Sequence, residues 1–174
     1  LRTDMTAVER VIREAAGQAR GAPEPAAPVV ELPVCYGGAH GPDLDQVAAW
    51  SGLTPEEVVQ RHASRTYRVY MLGFVPGFAY MAHVEPAIAM PRHRVPRERV
   101  PAGSVGIAGE QTGIYPVPTP GGWQVIGQCP LRMFDPDRSP TTRCVAGDAV
   151  RFVRISAVEF NELALGPGGI GSGW

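Results

Sequence analysis

The sequence predicts a mainly β domain, built as a closed or nearly closed barrel with a few short helices. Its 174 residues include 21 glycines and 18 prolines, a content typical of chains that turn often between short strands. Several short apolar runs, each bounded by Gly, Pro or Asp, follow residue 28. Because closure into a barrel removes exposed strand edges, we favour a barrel over an open sheet.

The chain starts with a predicted amphipathic helix over residues 4–20. Thr6 and Glu9 have the spacing of a capping box, and apolar residues recur with helical period behind them. Gly21 can end this helix in a left-handed conformation. The apolar stripe of the helix has to be buried, so we expect its partners before Leu1 or in another chain.

Three prolines after this helix mark a domain boundary. Pro23, Pro25 and Pro28 make the chain stiff and extended at this point. We therefore predict four segments: the C-terminal part of a truncated N-terminal domain (1–21), a Pro-rich linker (22–28), the barrel domain (29–165) and a flexible tail (166–174).

The barrel domain is predicted to start with one strand and two short helices. Residues 29–36 alternate between apolar and polar like a strand, and a glycine-rich loop follows. Asp43 is the expected N-cap of the first helix, and Gly52 separates it from the second. Thr54 and Glu57 give the second helix a capping box.

The later part of the chain is predicted to supply the remaining strands and a final helix. The strands are expected near residues 67–73, 104–108, 113–117, 122–127, 131–134 and 149–155. The helix is expected over residues 156–165, because Ser156 and Glu159 again have the spacing of a capping box. The Gly-rich tail after it is expected to be loose.

Composition and charge exclude several classes of function. The 16 Lys and Arg residues against 17 Asp and Glu leave no excess of positive charge for nucleic acid. All the basic residues are arginines, which excludes a P-loop lysine, a Schiff base and a lysine general base. No apolar run approaches the roughly 20 residues that cross a bilayer. The three cysteines have neither zinc-site nor disulfide spacing, so we expect a cytoplasmic protein that binds no metal.

An aromatic loop at residues 73–80 is the first candidate binding site. Phe74, Phe78 and Tyr80 surround the turn formed by Pro76 and Gly77, directly after a predicted strand. Rings held at the mouth of a barrel can flank a flat or cyclic ligand. A hydrophobic plug over the barrel end is the alternative, and for this segment alone it is the commoner case.

Residues 91–103 form a second candidate, with four arginines, one histidine and three prolines. The prolines restrict the backbone, so the guanidinium groups are partly ordered in advance to bind a carboxylate, a phosphate or an acidic partner. A merely solvated run of charges is the alternative. Arg99 has the strongest case because it lies next to the Gly-rich segment that follows.

The third candidate is residues 103–130, where glycines separate short apolar triplets. Glycine permits tight barrel corners or backbone amides that face a ligand. The segment matches neither GxGxxG before a helix nor GxxxxGK[ST], so it does not predict nucleotide binding. Gln111 and Tyr115 could hydrogen-bond an amide or lactam, and Trp123 could stack on it. In the alternative, Gln111 is an ordinary turn residue, and Tyr115 and Trp123 are half-buried strand residues.

The histidines give no catalytic pattern. His62 is on the apolar side of a predicted helix, which favours a packed or capping histidine. His40, beside Asp43 and Asp45 in a Gly-flanked loop, is the better acid–base candidate. Ser104 is in no nucleophile elbow, and no Ser–His–Asp or Cys–His array is recognisable.

Four strings in residues 29–155 carry a resemblance to a known family. They are PVCYGGxxGPDLDxVAxxSGLTPEEVVxRH, YRVYMLGFVPGFAYM, PRxRVPAGSVGIAGxQTGIYPVxTPGGWQVIGxxPLRMFDP and GDAVRFVRI. They are similar to the family that includes allophanate hydrolase subunit 1, the B subunit of 5-oxoprolinase and KipI. The first helix of the chain resembles the end of that family's small α+β N-terminal domain.

The resemblance implies a cyclophilin-like β-barrel that works inside a complex. Family members pair with a second cyclophilin-like protein, of the type of allophanate hydrolase subunit 2 or the 5-oxoprolinase C subunit, and the pair forms a composite cleft. With a third subunit, such a pair is implicated in opening the 5-oxoproline ring to glutamate, which implies ATP with Mg²⁺ at the level of the complex. The chain would then be a subunit of a hydrolase that acts on a small amide, inactive alone.

Two other functions are implied by the same resemblance. One is KipI-like inhibition of a histidine kinase, and the other is the carboxyltransferase half of a biotin-dependent urea carboxylase and allophanate system. Because one fold hosts several activities, the resemblance alone does not choose between them.

The resemblance also implies a set of substrate-binding residues. The matching positions, which we expect to line the shared cleft, are Pro76, Gly77, Phe78, Tyr80, Arg99, Gln111, Thr112, Tyr115 and Trp123. Their expected role is binding and orientation, and no catalytic residue is assigned. Ala39 and His40 replace an acidic–aromatic pair that relatives commonly have, which weakens an acid–base role for that loop.

Overall fold

The computed structural model describes residues 29–171, in which nine strands and three α-helices are formed. The strands are β1 (Val30–Tyr36), β2 (Thr66–Leu72), β3 (Ala79–Ala82), β4 (Arg97–Val100), β5 (Ser104–Ala108), β6 (Gln111–Ile114), β7 (Thr119–Gly121), β8 (Gln124–Gln128) and β9 (Ala149–Arg154). The helices are α1 (Leu44–Ser51), α2 (Pro55–Ala63) and α3 (Ala157–Leu165), with a short 3₁₀ helix at Pro86–Ile88.

Seven of these strands close into a barrel. Their order around it is β1-β8-β5-β6-β3-β2-β9, and β9 returns to β1. That last pair is parallel, with Val30 opposite Val150, whereas the other pairs in the barrel are antiparallel. The remaining two strands, β4 and β7, form a separate two-stranded ribbon. The prediction of a mainly β barrel with a few short helices is confirmed.

Three clusters of buried apolar residues lie in the described part of the chain, and two of them bear on the site. The barrel core is the larger cluster and includes Leu32, Val34, Ile107, Ile126 and Phe152, each at most 1% exposed. The second cluster, which we name the aromatic cluster, consists of Phe78, Val100, Tyr115, Trp123 and Val125. The ribbon contributes Val100 to it, so the aromatic cluster joins the ribbon to the barrel wall.

The predicted capping boxes are present at two helix N-termini. At α2, the backbone N–H of Thr54 donates to Glu57 Oε2 at 2.7 Å, and the Glu57 N–H donates to Thr54 Oγ1 at 3.2 Å. Ser156 and Glu159 form the same pair of hydrogen bonds at α3. These hydrogen bonds favour the charged carboxylates, so they lower the pKa of Glu57 and of Glu159.

The predicted cap at α1 is wrong in its chemistry. Asp43 is at the N-cap position, but its side chain makes no capping hydrogen bond. The carboxylate instead accepts hydrogen bonds from Val125 N–H, Arg97 and His93. A tertiary network therefore replaces the local cap, because three donors converge on one buried acid.

Several strand predictions need correction. Three strands, β3, β4 and β7, are absent from the predicted set: β3 pairs with β2 and with the more distant β6, and β4 and β7 pair with each other. The predicted strand at 131–134 is reduced to two isolated bridges, at Leu131 and Phe134. Pro130 and Pro136 flank this run and have no backbone N–H for a longer ladder.

The predictions for the two ends of the chain concern an N-terminal helix with its linker and a C-terminal tail. The predicted N-terminal helix and linker lie outside residues 29–171. Of the predicted flexible tail, residues 166–171 are described: Gly169 bridges to Leu131, and Ile170 N–H donates to Pro130 O at 2.8 Å. Within the described residues, no helix is long and apolar enough to span a bilayer.

Candidate functional site

A cavity of about 280 Å³ borders the aromatic cluster. Phe74, Phe78 and Tyr80 line it from the aromatic loop, and Tyr115 and Trp123 line it from the two ends of the segment that contains β7. Gln111, Arg92, Pro96 and residues 120–122 complete the lining. This volume suits a small ligand, since the pockets that hold drug-sized molecules measure roughly 300–1,000 Å³.

The aromatic rings pack around Phe78, which is 1% exposed. Its ring centroid lies 4.7 Å from that of Tyr80 and 5.8 Å from that of Phe74. The centroids of Tyr115 and Trp123 both lie 5.3 Å from it, with the rings at 83° and 89°. Such edge-to-face contacts hold each ring in one orientation, so the ligand-facing wall is a rigid aromatic surface.

The aromatic loop takes its shape from a hairpin and one glycine. It connects β2 to β3, and Gly73 N–H donates to Phe78 O at 3.1 Å across its base. Gly77 has φ +82°, and a Cβ there would lie 2.6 Å from Phe134 Cβ, so only glycine fits. Phe74 has φ +68°, a conformation that residues with side chains adopt rarely, and its ring is 61% exposed.

Close packing also fixes Tyr115 beneath the ribbon. A Cβ on Gly121 would lie 2.4 Å from the Tyr115 hydroxyl, so the glycine lets β7 cross directly over the ring. Burial raises the pKa of Tyr115, whereas the Trp123 backbone and the charges of Arg92 and Arg97 act in the opposite direction. The phenol therefore stays protonated at neutral pH and keeps its proton for donation.

A buried carboxylate anchors the segment that carries Arg92. This segment, the Arg92 arm, covers residues 91–97 and leads into β4. Asp43, whose side chain is 4% exposed, accepts from Arg97 Nη2 at 2.5 Å and from Val125 N–H at 2.6 Å. His93 Nε2 lies 3.3 Å from the same carboxylate. Asp43 thus binds the arm to β8, which passes beneath it.

The structure brings five of the nine expected site residues to this cavity. They are Phe78, Tyr80, Gln111, Tyr115 and Trp123. Pro76 and Gly77 line a separate, shallower depression together with Thr142. Arg99 is exposed on β4 and lies outside the cavity lining.

Thr112, the ninth residue, lies inside the barrel. Its hydroxyl donates to Gly106 O at 3.0 Å and lies 2.9 Å from His62 Nε2. Since that hydroxyl proton is already donated, His62 Nε2 carries the proton of this bond, and the Tyr36 hydroxyl donates to His62 Nδ1 at 2.8 Å. Thr112 therefore serves the barrel core in this chain, and the neighbouring Gln111 reaches the cavity.

The histidines confirm one expectation from the sequence. His62 is fully buried and stacked on Phe152 at 4.7 Å, as a packed histidine, and burial lowers its pKa to about 3. His40 Nδ1 lies 2.9 Å from Gln128 Oε1, and its ring packs on Phe160 at 4.2 Å, away from the cavity. Residues 29–171 contain no group of three or more His, Cys, Asp or Glu side chains that could hold a metal ion.

Sequence reasoning misses Arg92 as a cavity residue. It favours Arg99 because of its position next to the glycine-rich segment. The placement of Arg92 depends on the pairing of β4 with β7 and on the anchor at Asp43, both of which join residues far apart in the chain. No local pattern in residues 91–103 distinguishes these two arginines.

The match to a protein-family model decides the affiliation. Residues 1–144 match the model of the carboxyltransferase domain, subdomains C and D. This chain belongs to that family. The match includes every residue that lines the cavity, and it confirms the resemblance inferred from the four sequence strings.

Curated relatives of this family member have one name in common. A protein of Bacillus subtilis (strain 168), named as the B subunit of 5-oxoprolinase, is 55% identical over 133 residues, which are 76% of this chain and 55% of the relative. The Escherichia coli O157:H7 protein of the same name is 52% identical over 130 residues, 75% of this chain and 60% of the relative. The chain thus spans just over half the length of these relatives.

Solved structures are similar in fold. A conserved uncharacterized protein of Pyrococcus horikoshii has a TM-score of 0.74 and 44% identity, covering 89% of this chain and 69% of that protein. The urea amidolyase of K. lactis has a TM-score of 0.62 with 18% identity, over 77% of this chain and 10% of that enzyme. At 18% identity, the second likeness shows the fold alone.

Proposed function

We propose that this chain is a subunit of an ATP-dependent 5-oxoprolinase, which opens the lactam ring of 5-oxoproline to give glutamate. The shared name of relatives 48–55% identical, the B subunit of 5-oxoprolinase, supports this assignment. In the proposal the chain forms one wall of a cleft whose other wall is a second cyclophilin-like protein, the C subunit. The complex also contains a third subunit and acts in the cytoplasm.

The aromatic cavity is the observation that carries the proposal. A five-membered lactam is a small ring with one carbonyl acceptor and one N–H donor. The rings of Phe74 and Tyr80, backed by the buried ring of Phe78, offer apolar faces and edges to the lactam, and Gln111 offers both an amide donor and an amide acceptor. The protonated Tyr115 hydroxyl adds a further donor for the carbonyl oxygen.

The residues of this wall bind and orient, and the proposal assigns the bond-breaking groups to the partner subunits. Opening an unstrained lactam is unfavourable near neutral pH, so it has to be coupled to ATP hydrolysis. One water adds across the ring amide and a second is consumed as ATP gives ADP and phosphate. ATP with Mg²⁺ acts at the level of the complex in this proposal. Holding the ring in one geometry and excluding bulk water are the contributions of the described chain.

The exposed rim of the cavity fits a covering partner. Phe74 on the aromatic loop is 61% exposed, and Val95 on the Arg92 arm is 82% exposed. Apolar side chains that remain in solvent beside a cavity are typical of a surface that another protein covers. Arg99, exposed on β4, is in the proposal available to an anionic group of the composite cleft.

Reconstitution of the complex tests the proposal. The full-length protein is combined with its two partner subunits, and glutamate formed from 5-oxoproline and ATP is measured. We expect activity only with all subunits, and a loss of about tenfold or more in Gln111→Leu, because one amide contact to the ring is removed. Gln46→Leu is the matched control, since Gln46 is exposed on α1 outside the cavity. A complete complex that forms no glutamate contradicts the proposal.

A carboxyltransferase role is the second candidate, because the matching family is described as a carboxyltransferase domain. It predicts that the chain acts with a biotin carboxylase and a biotin carrier protein on urea. The same reconstitution distinguishes the two candidates: consumption of bicarbonate that depends on biotin and urea favours the carboxyltransferase, and glutamate release without biotin favours the 5-oxoprolinase.

A further inference from the structure

Arg92 is the only charged side chain that lines the cavity in the described part of the chain. Among residues 29–171 it has neither a hydrogen-bonding partner nor an ion-pair partner for its guanidinium group. Arg97, at the other end of the same arm, has its charge balanced by Asp43. The cavity therefore has one unbalanced positive charge beside an aromatic surface.

The backbone on both sides of Arg92 is fixed to the barrel. Pro91 O accepts a hydrogen bond from Gln124 Nε2 at 2.8 Å, and His93 N–H donates to Gly122 O at 2.7 Å. Gln124 is itself 1% exposed, so its bond is sheltered from water. The backbone at Arg92 is thus held between two anchored neighbours, so ligand binding has to order only the side chain and not the loop as well.

A guanidinium group in such a place selects for a carboxylate or a phosphate. It presents its donors in a planar fork that matches the two oxygens of a carboxylate, and these bonds are stronger than those between neutral groups. The charge of Arg92 acts on Tyr115 in the cavity lining, where it lowers the pKa of the phenol against the effect of burial. A neutral ring that fills the same space leaves this guanidinium without its partner.

We propose that the cavity takes a compact ring with an anionic substituent, and that Arg92 binds the anion while the aromatic cluster and Gln111 hold the ring. The inference rests on the proposed function, in which the ligand is 5-oxoproline and the anion is its single carboxylate. It adds a specificity residue: Arg92 distinguishes a ring that carries an acid from one that does not.

Ligand pairs test the inference on the assembled complex. Calorimetric titration compares 5-oxoproline with its neutral carboxamide, and the KM for 5-oxoproline is measured in parallel. We expect the unmodified protein to prefer the acid by about tenfold or more, and Arg92→Gln to remove that preference and raise KM by a similar factor. Arg94→Gln, a matched loss of charge two residues away and outside the cavity, is expected to keep both values. Both arginines are exposed, so unchanged melting temperatures are expected for the two variants.

Other outcomes overturn the inference or the function separately. An acid preference that survives Arg92→Gln, or that disappears in Arg99→Gln instead, overturns the role of Arg92. Arg92→Gln could instead raise the KM for ATP and leave the KM for 5-oxoproline unchanged, while inorganic phosphate competes with ATP in the unmodified protein. That result shows that the anion is a phosphate and overturns the carboxylate assignment. A complex that makes no glutamate, yet binds the acid tenfold better through Arg92, overturns the proposed function and supports the inference.

Discussion

The barrel core and the aromatic cluster are both buried, but they use their polar neighbours differently. In the barrel core, Tyr36, His62 and Thr112 satisfy one another through a chain of hydrogen bonds. Beside the aromatic cluster, Gln111 and Arg92 face the cavity, and their side chains have no partner among residues 29–171. The difference separates the polar groups that maintain the fold from those that remain available to the proposed ligand.

Loss of a ring from the barrel core should have the largest effect on stability. Phe152 is 1% exposed and packs on His62 and on Tyr67. We expect Phe152→Ala to lower the free energy of unfolding by about 3–5 kcal/mol, because the lost ring leaves a cavity that the closed barrel cannot fill. Urea denaturation followed by circular dichroism measures this change. A loss below about 1 kcal/mol would show that the barrel is loosely packed.

Neutralising Asp43 should affect both regions at once. Asp43→Asn keeps the shape of the side chain but removes the charge that balances Arg97, and it weakens the bond to Val125 N–H. We expect a loss of about 1.5–3 kcal/mol of stability, typical of hydrogen bonds to a charged group, and weaker binding of 5-oxoproline because the Arg92 arm loosens. Denaturation and calorimetry measure the two effects, and Asp45→Asn, exposed on α1, is the control. Unchanged ligand affinity would contradict the anchoring role of Asp43.

The elements that the sequence predicts well are those with a local physical cause. The capping boxes at α2 and α3 are complete within four residues, and both predictions are confirmed. Turn residues and short apolar runs are likewise sufficient to predict a barrel. The strands β4 and β7 are not predicted because each is short and gains its hydrogen bonds only from the other.

The candidate site shows the same division between local and distant causes. Phe78, Tyr115 and Trp123 can be selected as aromatic residues near turns, and the structure places all three at the cavity. The side chains of Gln111 and Thr112 point in opposite directions because successive residues of a strand alternate, and β6 starts two residues earlier than predicted. The position of Arg92 at the cavity depends on Asp43, which lies about fifty residues away in the chain. No local pattern reveals this link.

The pH dependence of stability should come from the barrel core. Burial lowers the pKa of His62 to about 3 from its usual 6.5, so the unfolded state binds a proton between these values and the folded state does not. Stability is therefore complete above pH 6.5 and falls as the pH drops toward 3, by up to about 1.4 kcal/mol per pH unit. Urea denaturation at several pH values measures this slope.

A substitution at His62 tests whether this residue causes the pH dependence of stability. We expect His62→Gln to remove most of the dependence between about pH 6.5 and 5, even though it lowers stability at every pH. His83→Gln is the control, because the His83 side chain is 65% exposed on the surface beside Glu110. A slope that persists in His62→Gln and disappears in His83→Gln would contradict the assignment.

The smallest effect on stability, and the one that separates a plug from a binding site, is expected at Phe74. Its ring is 61% exposed, and its centroid lies 5.8 Å from that of Phe78 in the aromatic cluster. We expect Phe74→Ala to change stability by less than about 0.5 kcal/mol, while the affinity for 5-oxoproline falls by about 0.5–1.5 kcal/mol through loss of a ring contact. Tyr70→Ala, similarly exposed but outside this cavity, is expected to leave the affinity unchanged. If Phe74→Ala instead destabilises the protein as much as Phe152→Ala does and leaves ligand binding intact, the aromatic loop is a plug, since a ring that seals the fold contributes to stability and not to recognition.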